Sequence, residues 1–187
     1  TPLSRPDDVP MRREIAAELH AIGERLGRLD VTYAAHRSDF ADLIHWGMGD
    51  PRPAMAEIER IAALLAQRSR NWSLVSFRAT VALLDGDLAE AERHTNELLG
   101  DHITASPGLV TSSYGAHLIA MRLAQGRLGE LDEVVTGLMD SQPQMAIWKA
   151  VRVATSAVSD PDASRRAFDS VFSPGRHALP VGFTMMS

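Results

Sequence analysis

Histidine is the residue type in this chain that is most able to do chemistry, because an imidazole can bind a metal ion or transfer a proton near neutral pH. None of the histidines belongs to an H-E-x-x-H motif, and no two of them share one turn of a predicted helix. The segment 85–92, DGDLAEAE, lacks the ligand alternation and the sixth-position glycine of a calcium loop. The pattern therefore favours solvated or capping histidines and predicts no metal site. The seven histidines are His20, His36, His45, His94, His102, His117 and His177.

Acidic side chains occur in close pairs, Glu57 with Glu59 and Glu90 with Glu92. Residues two apart on a helix point in different directions, whereas a glycosidase-type acid and base must converge in a cleft. The serines Ser112, Ser113 and Ser187 also lack the context of a nucleophile elbow. We therefore expect no catalytic residues and no enzyme activity in this chain.

Two glycine-containing segments, GERLGRLD at 23–30 and GRLGELD at 126–132, are the candidates for a phosphate-binding loop. A Walker-type loop needs a G-x-x-x-x-G-K-[ST] pattern, and neither segment contains the lysine. The pattern favours glycines that cap helices or allow close packing. We expect no nucleotide or other cofactor to bind this chain.

Charge and composition limit the classes of partner. The formal net charge is −5, which argues against a dedicated nucleic-acid surface. Arg68, Arg70 and Arg78 flank Trp72 and could bind a phosphate or an acidic partner, but a solvated junction between helices is the favoured interpretation. The absence of cysteine, of a signal segment and of a long apolar run is compatible with a cytoplasmic protein that does not enter membranes.

The elements that must position these side chains are predicted to be helices. From Met11 to about Leu29, for example, apolar residues recur at spacings of three and four. No alternating segment is long enough to predict a strand. Residues 1–10, with three prolines, are expected to form an extended lead-in, and 173–187 a loop and the start of a truncated element, as in a piece of a longer polypeptide. The predicted helices are 11–29, 33–49, 50–69, 71–84, 87–100, 109–126, 127–142, 143–159 and 160–172.

One type of turn recurs between these helices, at spacings of 37, 40 and 33 residues. A small residue follows three of the four turns, five positions after the first turn residue, where it would let two helices approach closely. A period of about 34–40 residues with helix–turn–helix units is typical of an α-solenoid. The sequence thus predicts an all-α solenoid of about four antiparallel helix pairs plus a leading helix, over residues 11–172. The turns are Gly49-Asp50, Gly86-Asp87, Gly126-Arg127 and Ser159-Asp160. The residues five positions after the start of each turn are Ala54, Ala91, Leu131 and Ser164. An aromatic residue, expected to pack as a wedge against the next helix pair, precedes each of the last three turns: Trp72, Tyr114 and Trp148.

These segments also carry a family resemblance. ALLDGDLAEAERHTNELL, at 82–99, looks like the G-x-x-x-x-A core of a tetratricopeptide repeat. The succession of units over about 12–172 resembles the degenerate helical-repeat region of large bacterial signal-transduction ATPases, including LuxR-type and MalT-like transcriptional regulators, and a related region of multidomain adenylate cyclases. Leu131 and Ser159 depart from the repeat pattern, and the large-then-glycine pair of the consensus is absent.

The resemblance implies a non-catalytic scaffold that binds other domains of the same polypeptide or a protein partner, or that restrains a nucleotide-binding module. A small-molecule inducer domain, part of an adenylate cyclase and an oligomerisation module are the alternatives. Direct contact with nucleic acid or membrane is not expected. If the first helix of each pair lines a concave groove, the groove residues are His36, Asp39, Ser76, Thr80 and Lys149.

Overall fold

The computed structural model describes residues 6–65, 72–100, 107–141, 146–157 and 160–172. Every regular element in these ranges is helical, which confirms the all-α class. None of the described helices contains a stretch that is both long and apolar enough to cross a bilayer. The α-helices are α1 Val9–Leu26, α2 Leu29–Trp46, α3 Arg52–Leu64, α4 Trp72–Asp85, α5 Leu88–Leu98, α6 Pro107–Ala124, α7 Asp132–Ser141, α8 Ala146–Ser156 and α9 Pro161–Phe172, and short 3-10 helices cover Pro6–Asp8 and Leu128–Leu131.

The first three predicted turns lie between helices, as the sequence indicates, whereas Ser159 of the fourth lies outside the described residues. Gly47, Gly86 and Gly126 follow α2, α4 and α6 with φ values of 60°, 75° and 68°, a left-handed conformation that glycine adopts without steric cost. Asp87 then caps α5, because its Oδ1 accepts the backbone N–H of Glu90 at 3.0 Å. Asp160 accepts the N–H of Ala163 at 2.9 Å in the same way at the start of α9.

The described residues divide into two compact units, with the division between His117 and Leu118. In the first unit α1 packs against α2, α2 against α3, α3 against α4 and α4 against α5. The rings of Phe40 on α2 and Phe77 on α4 lie 4.3 Å apart between their centres, at the middle of the apolar core. The other large side chains of this core are Tyr33, Met55, Ile58, Ile61 and Leu74.

In the second unit α8 packs against both α7 and α9. Met121, Leu131 and Val135 are buried there, together with the polar side chains of Thr155 and Ser156. The hydroxyl of Thr155 donates to Oδ1 of Asp132 at 3.0 Å, so burial of this group leaves no lost hydrogen bond. Both units thus contain helices that pack against their neighbours in the chain, and the regular solenoid stays a prediction.

Residues following the turns are packed as expected. Ala54 and Ala91 are buried at the start of α3 and α5, where a larger side chain would hold the helices apart. Ser164 on α9 donates its hydroxyl proton to the carbonyl oxygen of Val153 on α8 at 2.7 Å. A small side chain at this position therefore allows close approach and, in the case of serine, a bond between the two helices.

Two expectations for the beginning of the chain are wrong. The lead-in is not extended from Pro6 onward, because a 3-10 turn covers Pro6–Asp8 and α1 begins at Val9. Pro10 is compatible with this start, since the first turn of a helix needs no N–H donor there. The first helix also ends earlier than predicted, at Leu26, and Gly27 with φ 62° turns the chain into α2.

The buried face of α1 is not formed by its apolar residues. The apolar stripe of the predicted helix suggests a buried face, but Ile15 and Leu26 are 43% and 61% exposed. The residues of α1 that are buried are Ala16 and Gly23. Thr32 of α2 lies against Gly23, with its backbone nitrogen 3.0 Å from where a Cβ would stand, so small residues define this contact.

Candidate binding sites on the helical hairpins

The hairpin of α1 and α2 brings together His20, His36 and Asp39. Nε2 of His20 lies 2.7 Å from Oδ2 of Asp39, and because a carboxylate only accepts, the histidine donates this hydrogen bond. The rings of His20 and His36 meet edge to face with their centres 4.5 Å apart. One nitrogen of each histidine and one oxygen of Asp39 all lie within 4.8 Å of one another. Two imidazoles and a carboxylate therefore converge on one point between the helices.

Hairpin geometry explains this convergence. In an antiparallel pair, residues at equal distances from the turn lie side by side, and His20 and His36 stand eight residues before and eight residues after Arg28. Sequence reasoning named His36 and Asp39 as groove residues but left His20 out, because it placed the end of α1 near Leu29 and did not recognise the turn. Gly27, which the sequence pattern marks as a helix-capping or packing glycine, is the residue that could have located this turn.

The protonation of His36 reflects its surroundings. Partial burial, followed by the neighbouring positive charge on His20 when that ring is protonated, lowers the pKa of His36. Asp39 and Glu57 act in the opposite direction, while Arg60 adds to the lowering. The neutral imidazole, which is the form that accepts hydrogen bonds or binds metals, is thereby favoured at His36.

An open cavity of about 420 Å³ adjoins this cluster and is bounded by α1, α2, α3 and the turn after α2. His36 and Asp39 are on its wall, and Glu57 of α3 also lines it. Asp42, another lining residue, is nearly buried and forms an ion pair with Arg12 of α1. The cavity thus presents carboxylate and imidazole groups on a wall that also contains Leu43, Met48, Pro53 and Ala54.

A second open cleft, of about 500 Å³, lies among α3, α4 and α5. Glu59 belongs to this cleft and accepts from Arg78 of α4 at 2.7 Å. Glu57, two residues earlier, lines the other cavity, so the expectation that the two glutamates point in different directions is confirmed. Of the predicted arginine cluster, Arg78 is engaged by Glu59, and Arg68 and Arg70 lie outside the described residues.

The groove residues of α4 lie in a third place. Ser76 is buried, and its hydroxyl lies 3.5 Å from that of Ser113 on α6. The hydroxyl oxygen of Thr80 lies 3.0 Å from the carbonyl oxygen of Ser76 and 3.0 Å from Nε2 of His117. These two side chains join α4 to α6, whereas His36 and Asp39 border the first cavity.

Lys149, the fifth groove residue, is half-buried on α8 in the second unit. A common role of the five residues in binding a partner stays a prediction.

The glycines of the two segments cap helices or allow close packing, as the sequence pattern favours. Gly27 and Gly126 follow helices with positive φ, and Gly23 lies at a close contact with Thr32.

A partly exposed apolar stripe runs along α1. Met11, Ile15 and Leu26 are 53%, 43% and 61% exposed, and Leu19 and Ile22, between them, are half-buried. Their spacing of three and four residues places them on one side of the helix. We call this set, Met11, Ile15, Leu19, Ile22 and Leu26, the α1 stripe.

Comparisons of the chain with protein-family models, with curated proteins and with solved structures found no significant match.

Proposed function

We propose that this chain is a non-catalytic interaction domain of a larger regulator, and that the α1 stripe is the surface that its protein partner covers. The partner is another domain of the same polypeptide or a separate protein. The observation that carries the proposal is the exposure of three large apolar side chains, Met11, Ile15 and Leu26, on one side of a helix. Clustered apolar surface of this kind is typical of protein contact sites.

Apolar residues recur along one side of α1, yet the residue that lies against Thr32 of α2 is the small Gly23. Ile15 and Leu26 are exposed in the isolated chain. Each of them, when a partner covers it, would contribute up to about 2 kcal/mol of transfer free energy to binding. A helix or apolar segment laid along α1 would recover it, in the manner of the helix-in-groove contacts found in other proteins. The family resemblance supports a parent with a nucleotide-binding module that this contact would restrain.

Photo-crosslinking tests the surface directly. A photoreactive amino acid replaces Ile15 in the protein expressed in its native host, and the crosslinked product is identified by mass spectrometry. The matched control has the same amino acid at Glu14, which is exposed on the same turn of α1 but lies outside the stripe. We expect a product with one defined protein segment from position 15 and a much weaker one from position 14.

Equal products from both positions, or none from position 15, would contradict the proposal. A product formed with a second copy of the chain alone would identify an oligomerisation module instead, and sedimentation of the purified chain would then show a dimer. The complete reading frame provides a separate test of the parent, since a P-loop module is expected beside this region.

A second candidate function is the sensing of a small molecule. The specific observation is the cavity of about 420 Å³ beside His36 and Asp39, a volume within the range of small-ligand sites. A ligand that binds the folded chain raises the melting temperature by mass action. A thermal-shift screen of metabolites, repeated with the Leu43→Trp variant that fills the cavity, distinguishes this function: the shift should disappear in the variant.

A further inference from the structure

We propose that His20, His36 and Asp39 form a binding site for a divalent transition-metal ion of the zinc type. These residues supply two imidazole nitrogens and one carboxylate oxygen from two adjacent helices. The proposal does not depend on the partner-binding role of the α1 stripe.

The distances among the donor atoms are close to those that a metal requires. Zinc binds nitrogen and oxygen at about 2.0–2.2 Å, which places the ligands of a tetrahedral site about 3.4 Å apart. Nε2 of His20 and Oδ2 of Asp39 are 2.7 Å apart, and the three donor atoms lie within 4.8 Å of one another. These separations bracket the value that a tetrahedral site requires.

The ligand types select the class of metal. Imidazole with one carboxylate suits zinc and its neighbours among the transition metals, and it is the donor set of many three-residue protein sites. Magnesium and calcium prefer sites made of oxygen alone, so we expect them not to compete. The metal would take the place of the proton that His20 donates to Asp39 in the hydrogen bond between them.

The position of the cluster defines the remaining coordination. His36 and Asp39 also line the cavity of about 420 Å³, from which water can reach the metal. Glu57 lines the same cavity and is the carboxylate on α3 that can approach as a fourth ligand; it now accepts from Arg60 at 2.8 Å. Metal binding would therefore join α1 to α2, with the fourth position toward the cavity taken by water or by Glu57.

Isothermal titration of the full chain with zinc chloride, after removal of any affinity tag, measures the site. We expect one ion per chain, and at least about a tenfold weaker affinity for each of His20→Gln, His36→Gln and Asp39→Asn, since even indirect partners of metal ligands contribute that much. Glu57→Gln should weaken binding less than these three substitutions.

Two histidine variants serve as controls. His94 lies 3.2 Å from Glu90 and 3.5 Å from Glu97, which makes this group the rival zinc site on one helix. His45 is exposed, and its ring bonds to the carbonyl oxygen of Ala41 within its own helix. His94→Gln and His45→Gln should both bind zinc with the wild-type affinity.

Spectroscopy and thermal stability provide readouts of a folded site. Cobalt(II) should give the visible absorption of a four- or five-coordinate ion in the wild type and lose it in Asp39→Asn. Zinc should raise the melting temperature of the wild type and not that of Asp39→Asn, whose circular dichroism shows whether it is folded. Unchanged zinc affinity in the three ligand variants, or a loss confined to His94→Gln, would overturn the proposal.

Discussion

Nε2 of His117 lies 3.0 Å from the hydroxyl oxygen of Thr80, which links α6 to α4 at a buried position of the first unit. Nδ1 of the same ring lies 2.8 Å from the carbonyl oxygen of Ser113. A carbonyl oxygen only accepts, so Nδ1 carries a proton, whereas the single hydroxyl proton of Thr80 is donated to the carbonyl oxygen of Ser76 at 3.0 Å. Burial lowers the pKa of His117, and this effect outweighs the hydrogen bonds to the backbone of Ser113 and Ser76, which favour the charged ring.

The stability of the chain should therefore fall as the pH is lowered through the range in which an unfolded histidine titrates, below about 6.5. In that range the unfolded chain takes up a proton that folded His117 resists. Above it, both states are neutral at this position and the contribution of His117 does not change. The loss has a limiting slope of about 1.4 kcal/mol per pH unit and ends once the pH is below the folded pKa.

Urea unfolding at pH 7.5 and at pH 5.0 measures this effect. The His117→Gln variant should lose less stability between the two pH values than the wild type does. His45→Gln, which alters an exposed histidine, should retain the wild-type dependence. An equal dependence in the wild type and in His117→Gln would show that other groups are responsible.

The ion pair between Arg12 and Asp42 should be important for joining α1 to α2. The side chains of Arg12 and Asp42 are only 14% and 7% exposed, so solvent screens the pair weakly. Removal of one charge from such a pair leaves the other poorly compensated. We expect Asp42→Ala to lower the free energy of unfolding by about 3 kcal/mol.

Chemical denaturation of the purified variant checks this value. The matched control is Arg60→Gln, which removes an exposed pair with Glu57 and should change the stability by less than about 1 kcal/mol. Similar losses in both variants would mean that the buried position of Asp42 has no special effect. Arg12→Met with Asp42→Leu should recover much of the loss, because it removes both charges together.

Two helical glycines should respond in opposite directions to alanine. A Cβ on Gly23 would stand 3.0 Å from the backbone nitrogen and 3.3 Å from the Cα of Thr32, so Gly23→Ala would push α2 away from α1. Gly137 is exposed on α7 and has nothing within 4 Å of the added atom. We expect Gly23→Ala to destabilise by about 1–3 kcal/mol and Gly137→Ala to stabilise by about 0.5–1 kcal/mol.

Melting temperatures of the two variants, measured side by side, test this contrast. A gain of stability in both would indicate that Thr32 moves aside easily. A loss in both would show that Gly137 has a packing partner after all.

The contact between α4 and α5 should depend on the size of residue 91. Ala91 has no exposed surface, so a leucine there would overpack the interface and cost about 1–3 kcal/mol. Asn96 is exposed on the same helix, and Asn96→Leu should leave the stability within about 0.5 kcal/mol. Thermal unfolding compares the two leucine variants, and equal stability would refute a close approach at Ala91.

Local features of the chain were predictable from the amino-acid sequence. The all-α class follows from the spacing of apolar residues, and the turns follow from glycines that adopt positive φ beside a capping aspartate, as at Gly86 and Asp87. Such preferences depend on the backbone and on neighbouring residues, which a sequence displays directly. The different directions of Glu57 and Glu59 follow in the same way from helix geometry.

The tertiary structure alone decided which residues meet. Apolar spacing marks one face of α1, but the residues that this helix buries are Ala16 and Gly23, and Gly23 lies against Thr32 of α2 because a small residue allows close approach. His20 meets His36 and Asp39 because the chain reverses at Gly27, and a shift of the turn by a residue or two would separate them. Contacts between helices depend on the register of the hairpin and on side-chain volume, and neither is a property of any single segment of the chain.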